Sequence, residues 1–548
     1  MRMTNKIMQN NSLYNINNNK LLQDQLSTMM STQKKITRPS DDPVIAIRAL
    51  RLRTSVSELT QYYEKNAPDA NSWLDVTGKA LTTVTDVLTD MIKQANKGAN
   101  KDYGPEDLQI IVEQIKSLRD EFYATGNVDY AGRYVFTGYR TDTTMSFTEE
   151  VEEQPEGYPS YEITEQNTIG DFDTINYTNI GKLDGLNKNN YTDTNYDGIT
   201  EQKDVSNGDI HRMRLAYDNL KGTAPTITQN DPNNPAAGTT TTYSTGDLTI
   251  SIPDPTNPMN TTKATKITAS TVPVGSDPYT YVMNHPDAVV YVPETGEVLF
   301  GDTAYTDLET TVKGLKGTET EIQFTYTKDQ WKDGDLRPEH YFACIGTTLN
   351  EDNSKKEVKY NQEYLEGNKK KQVIEYDVGY NQKIQVNTTA DEVFGHDLDR
   401  DIDDLEIALA NLVSIDATKT DLDTVLKGLE EGTAEYEDVK LKYEAADKAY
   451  SYIRENIHNM LEGSITKFQG YLDDTNVAIT DNGTRSQRLS LISNRLMDQK
   501  TTFQTLQSEN EDADIAEVAV KLTSTELTYE AALMATGKIM QTSLMNYI

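Results

Sequence analysis

The sequence predicts an α+β protein: a long coiled-coil-like helical rod formed by both termini, with a β-rich domain inserted between its halves. Three observations predict it. Apolar residues recur at spacings of three and four over long stretches near both ends of the chain. From about residue 141 to 395 that pattern gives way to short alternating runs rich in Thr, Asp, Asn, Pro and Tyr. The stripes at the two ends are too narrow to bury themselves alone, so the terminal helices must pair with each other or with other chains.

In order, the segments are an N-terminal axial helix (1–40), an N-terminal helical rod (41–140), the β-rich insert (141–395), a C-terminal helical rod (396–512) and a C-terminal axial helix (513–548). The first segment is compatible with a helix through Leu13, Ile16, Leu22, Leu26 and Met30, but it is loaded with asparagine, a poor helix former. It is expected to be disordered in a free monomer and to order on assembly. Pro39-Ser40-Asp41-Asp42-Pro43 then offers caps, acidic charge and an opening proline for a helix. From Ile45 to about Lys97 one apolar register persists, interrupted at Asn66 and Thr77. Pro68 should bend this rod without ending it. A second helix is expected near Pro105–Thr125, through Leu108, Ile111, Val112, Ile115, Leu118 and Phe122.

The other end mirrors this. A helix near Glu435–Lys467 precedes a register of Leu489, Ile492, Leu496, Phe503 and Leu506. After Ser508–Asp514 the stripe resumes with Ile515, Val518, Leu522, Tyr529, Leu533, Met540 and Leu544. Leu13, Ile16, Leu22 and Leu26, together with these seven, form the expected assembly interface. In the insert, 248–252, 288–292, 322–326, 373–378 and 384–386 read as strands, and 224–243 reads as a linker.

Composition narrows the function. The chain has 548 residues and a net charge of −35, from 87 acidic against 52 basic side chains, which makes nucleic acid and anionic lipid poor partners. No run is apolar enough for membrane insertion, and the N-terminus shows no apolar core of a secretory signal. The single cysteine, Cys344, excludes an internal disulfide and reads as a small buried hydrophobe.

Several segments occur together and in order: Met29–Pro43 with Arg38-Pro39-Ser40-Asp41-Asp42, then Gly132-Arg133-Tyr134-Val135-Phe136-Thr137-Gly138-Tyr139, then Ile384–Gly395 ending Val393-Phe394-Gly395, then Asn482–Ile548 with Glu511-Asp512-Ala513-Asp514. Through them, residues 1–140 and about 380–548 resemble the bacterial flagellin superfamily, on its hook-associated branch. The middle of the chain shows no such likeness. The resemblance implies a non-catalytic structural subunit of the flagellum that joins hook to filament by stacking of its terminal helices. The alternative it leaves open is the filament subunit, flagellin, with an enlarged outer domain. It also implies export without a cleaved signal peptide, and partners that are copies of itself, hook-associated protein 1, flagellin and an export chaperone. The insert is expected to be dispensable for assembly.

One local motif suggests a ligand. Asp193–Asp204 fits D-x-[DN]-x-[DN]-G with an acid at position twelve, so Asp193, Asn195, Asp197, the Ile199 carbonyl and Asp204 could wrap Ca²⁺. The alternative is an acidic turn. His396-Asp397 reads as a solvated helix start, and Asp41-Asp42 as a helix cap. Neither H-E-x-x-H nor G-x-S-x-G occurs, and no catalytic constellation is expected. The tyrosines of Tyr279-Thr280-Tyr281 leave glycan binding by the insert open.

Overall fold

A computed structural model describes residues 5–148, 160–221, 249–252, 265–267, 270, 272, 277–314, 322–349, 355–366 and 372–544. The expected linker 224–243 lies outside them. The described helices are α1 (Asn5–Thr32), α2 (Pro43–Gln61), α3 (Ala67–Gly98), α4 (Pro105–Gly126), α5 (Glu201–Asp204) and α6 (Pro278–Asn284). They continue with α7 (Asp302–Gly314), α8 (Asp397–Gly428), α9 (Ala434–Glu511) and α10 (Ile515–Leu544). Chain packing divides these into two compact units. The first gathers Met1–Asn71, Glu375–Ile384 and Arg485–Ile548; the second holds Ser72–Ile374 and Gln385–Thr484.

In the first unit, α2 opens as the sequence requires. The Asp42 carboxylate accepts from the backbone N–H groups of Val44 (2.9 Å) and Ile45 (3.1 Å), with Pro43 in the first turn. Between α2 and α3 the chain stays helical through a π turn, Tyr62–Asn66, in which Ala67 donates to the Tyr62 carbonyl. Pro68 has no N–H to give, and widening the turn just before it lets the helix continue. Asn66, the polar break in the apolar register, has its own task. Its amide donates to the Asp377 carbonyl at 2.7 Å, holding a hairpin of two short strands (Glu375–Gly379 and Gln382–Gln385) beside the π turn.

The second unit packs helices around a dense apolar core. Trp73, Leu74, Leu81, Val84, Leu88 and Met91 of α3 are buried, as are Leu108 and Ile115 of α4, Leu405 and Leu412 of α8, and Ile457, Leu461 and Phe468 of α9. The other polar break, Thr77, is buried and turns its hydroxyl back to the Trp73 carbonyl at 2.9 Å. Gly78 permits a close approach: Asn482 donates to the Leu74 carbonyl at 2.9 Å, and a Cβ on residue 78 would lie 2.8 Å from that amide nitrogen.

Just before the insert lies a two-stranded ribbon, β1 (Asp129–Tyr130) and β2 (Arg133–Tyr134). Ala131 and Gly132 between them both have positive φ, as the tightest hairpin turn demands. Two antiparallel sheets follow. One runs β4 (Asp173–Asn179), β5 (Ser206–Arg214), β9 (Glu297–Phe300), β8 (Val289–Val292). The other runs β12 (Lys355–Tyr360), β11 (Ala343–Leu349), β3 (Ser160–Asn167), β10 (Ile322–Lys328), β6 (Thr249–Ile252), β7 (Thr265–Ile267). One core joins them: Ile163, Phe324 and Tyr326 meet Met213, Val298 and Phe300, with Leu308 of α7 and Trp331. Alternation along β10 is complete, its residues 322, 324, 326 and 328 being buried and those between half-buried. Cys344 is buried and free there, its thiol pushed far up by burial and by Glu339.

Two sequence segments meet where the chain enters and leaves the insert. The ring of Phe394 lies 5.0 Å from Phe136 and 5.1 Å from Phe122, all buried. Tyr139 N–H donates to the Gln372 side chain at 2.7 Å, and Tyr123 OH to the Gly395 carbonyl at 2.6 Å. His396 does precede a helix, but not as a solvated start. Its ring is wedged among Tyr217, Tyr341 and Phe342, and burial with Arg400 nearby pushes its pKa down to about 3, so it is neutral.

Candidate assembly interface

The ends of the chain form one site. The breaks that terminate α1 and α9 lie against each other. Lys35 N–H donates to the Glu511 carbonyl at 2.7 Å, and Ala513 N–H to the Gln33 carbonyl at 2.9 Å. Lys34 reaches the Asp512 carboxylate at 2.5 Å. Arg53 makes a two-pronged pair with Glu511 at 2.8 and 2.6 Å. That fork holds the Glu511 carboxyl below its usual range, against the opposing effect of burial. Gln33 ends α1 in the left-handed region at φ 58°. The segment around Lys34-Lys35 and the Glu511-Asp512-Ala513 segment, singled out separately in the sequence, are two halves of one joint.

Beyond the joint α1 and α10 run antiparallel, with Gln23 opposite Glu526. The covered face of α1 reads Gln9, Ser12, Ile16, Asn19, Gln23, Leu26 and Met30; that of α10 reads Val518, Leu522, Thr525, Tyr529, Ala532 and Thr536. Both are heptad seams with alternating steps of three and four, and both are half polar. Only part of the expected interface lies in them. Leu26 and Val518 are buried and Ile16, Leu522 and Tyr529 half-buried, whereas Leu13, Leu22, Ile515 and Leu533 are exposed. The side chains of Met540 and Leu544 lie outside the described residues. The asparagine-rich α1 lays its covered face on α10 of the same chain.

The outer face carries what the seam lacks. Val520, Leu527 and Met534 recur every seven residues on α10 and are 71%, 63% and 67% exposed. They stand two positions beyond Val518, Thr525 and Ala532, which turns them roughly 200° around the helix, opposite the seam. Ile7, Tyr14 and Leu21 form the matching exposed row on α1. A single heptad reading assigns one face to each helix, so it does not reveal this second stripe. Sequence could have found it by testing both offsets of the repeat. In α9 the same slip occurs: Leu506 is exposed while Gln507 is half-buried.

The acidic loop places the five residues of the calcium motif as follows. Thr194–Tyr196 forms a single 3-10 turn, and Asp193, Asn195 and Asp197 are exposed. Ile199 is buried, and the buried Asp204 carboxylate accepts from Thr200 N–H at 3.1 Å, capping the short α5. No three His, Cys, Asp or Glu side chains of the described residues converge as a metal would require. The loop is instead fastened to neighbouring helices. Lys442 donates to the Tyr191 carbonyl at 2.8 Å and Thr418 to the Leu186 carbonyl at 3.0 Å.

Residues 3–141 match the family described as the bacterial flagellin N-terminal helical region. The N-terminal quarter of the chain is thus similar to that region. Two curated relatives are similar to it: flagellar hook-associated protein 3 of Escherichia coli, 28% identical over 151 residues, and of Salmonella typhimurium, 27% identical over 143. These matches cover 27% and 26% of this chain, which thus spans about half the length of the relatives it matches (47% and 45%). A crystal structure of FlgL from Xanthomonas campestris aligns over 84% of this chain and 99% of its own, at 12% identity and a TM-score of 0.29. That overlap is too loose to carry any weight. No helix of the described residues is long and apolar enough to cross a membrane.

Proposed function

We propose that the chain is a non-catalytic structural subunit of the bacterial flagellum, standing outside the cell at the junction of hook and filament. The observation that carries this is the inverted polarity of the terminal helix pair. Two helices that hide Gln9, Ser12, Asn19, Gln23, Thr525 and Thr536 while exposing Ile7, Tyr14, Leu21, Val520, Leu527 and Met534 are built to be covered by further chains. Each exposed Leu, Ile, Val or Met so covered contributes about 1.5–3 kcal/mol. Like surfaces repeated from subunit to subunit stack head to tail into an open helix. The partners are further copies of the chain, hook-associated protein 1 on the hook side and flagellin on the filament side, with an export chaperone holding the exposed stripes before assembly. The similarity to hook-associated protein 3 supports this placement.

Immunogold labelling of intact flagella tests it. A single band between hook and filament is expected. Label along the whole filament would move the chain to the second reading, a filament subunit, which the flagellin family match over residues 3–141 favours.

A further inference from the structure

A groove of about 530 Å³ opens within the second unit, between the β4 edge of the four-stranded sheet and the outer faces of α8 and α9. Its size is that of a site for a small organic ligand. One wall is aromatic: Tyr177 and Tyr279 stack with ring centres 4.8 Å apart and 14° between their planes. The facing wall carries the exposed amides of Asn411 and Asn459 beside Met460. Gly463 keeps that wall low, since a Cβ there would have no neighbour within 4 Å.

Charge decides what fits. The groove holds two cations, and both are taken: Arg212 by Glu297 and Asp404, and Lys467 by Asp401. Among the described residues no unpaired cation lines the groove to bind a phosphate, a sulfate or an acidic sugar, and the chain's net charge of −35 repels them. An extended peptide added to β4 is also disfavoured, because Asn456 already donates to the Asn176 carbonyl at 2.9 Å on that edge. What remains is a stacked aromatic pair together with amides that both donate and accept, which suits the apolar ring face and the hydroxyl rim of a sugar. We propose that this groove binds an uncharged oligosaccharide.

The test uses the full-length chain on a printed array of neutral, sialylated and sulfated oligosaccharides, with titration calorimetry of the strongest binder. Neutral saccharides are expected to bind and charged ones not. Asn411→Ala with Asn459→Ala, both exposed, should weaken binding roughly tenfold, the value of one or two lost hydrogen bonds. Gly463→Phe should abolish it by filling the groove, while the thermal midpoint stays within a few degrees, since glycine is itself a poor helix former. The proposal is overturned if no neutral saccharide binds, if the acidic ones bind equally, or if a peptide library binds instead. It is equally overturned if both variants retain full affinity.

Discussion

The terminal helix pair and the central helices use the same alternation of threes and fours, and they use it in opposite senses. In the second unit the main apolar rows, from Trp73 and Leu81 to Leu412 and Phe468, face inward and are buried. In the first unit the α1–α10 seam is half polar, and the more apolar rows look outward. The central helices carry their own partners within one chain. The terminal pair is incomplete by construction, because a heptad stripe states only that something apolar must cover it. Charge follows the same division. Arg212 and Arg214 are buried against Asp404 and Asp401, tying β5 of the insert to α8. The ion pairs of the terminal joint, Lys34–Asp512 and Arg53–Glu511, are half-open to water.

The largest effect should come from breaking the central network. Asp404→Ala removes the carboxylate that both buried guanidinium groups share, leaving Arg212 on Glu297 and Arg214 on Asp401, and should cost the second unit about 3 kcal/mol in a denaturant melt, with the helix content of the termini retained. A loss below 1 kcal/mol would mean that the insert is only loosely tied to the helices. The same contact makes the insert less dispensable than its sequence suggests. Replacing residues 150–380 with a Gly/Ser linker is now expected to lower the amount of stable protein before it lowers assembly.

A smaller effect is read by acid titration. Arg212 and Arg214 overcome burial and hold Asp404 down to about 2, below its unfolded value. A depressed carboxyl stabilises the fold fully above the unfolded pKa, and that share drains away as the pH falls towards the folded one. About 2 kcal/mol should therefore disappear between pH 4 and pH 2, and Asp404→Asn should flatten that stretch of the stability curve. Equal slopes in the two proteins would show that other carboxylates carry the acid transition.

Leu527→Asp sharpens the contrast from the other side. On a free monomer the position is exposed, so stability should move by no more than about 0.5 kcal/mol. In a polymer the charge is desolvated without a partner, and sedimentation should find the variant monomeric where the parent chain assembles. Assembly at the parental level would remove the outer row from the interface. The smallest expected effect concerns the acidic loop: Asp193→Ala with Asp197→Ala should leave the melting temperature unaltered with or without Ca²⁺. A calcium-dependent rise in the parent protein that the variant lacks would support the calcium reading of Asp193–Asp204.

The sequence by itself determined the α+β class, the cap at Asp42, the passage of the helix through Pro68, and the segments that prove to be joints. These are legible because capping, proline chemistry and apolar period act over neighbouring residues. Tertiary structure alone decided which row of each terminal helix lies inside, since a helix seen alone has no inside. It decided that His396 is neutral among aromatic rings, and that the Asp204 carboxylate accepts from Thr200 N–H. It alone brought Tyr177, Tyr279, Asn411 and Asn459 to one groove, from strand, short helix and two long helices far apart in the chain. Spacing records which side chains are available. Their environment depends on residues hundreds of positions away, and no local pattern carries that.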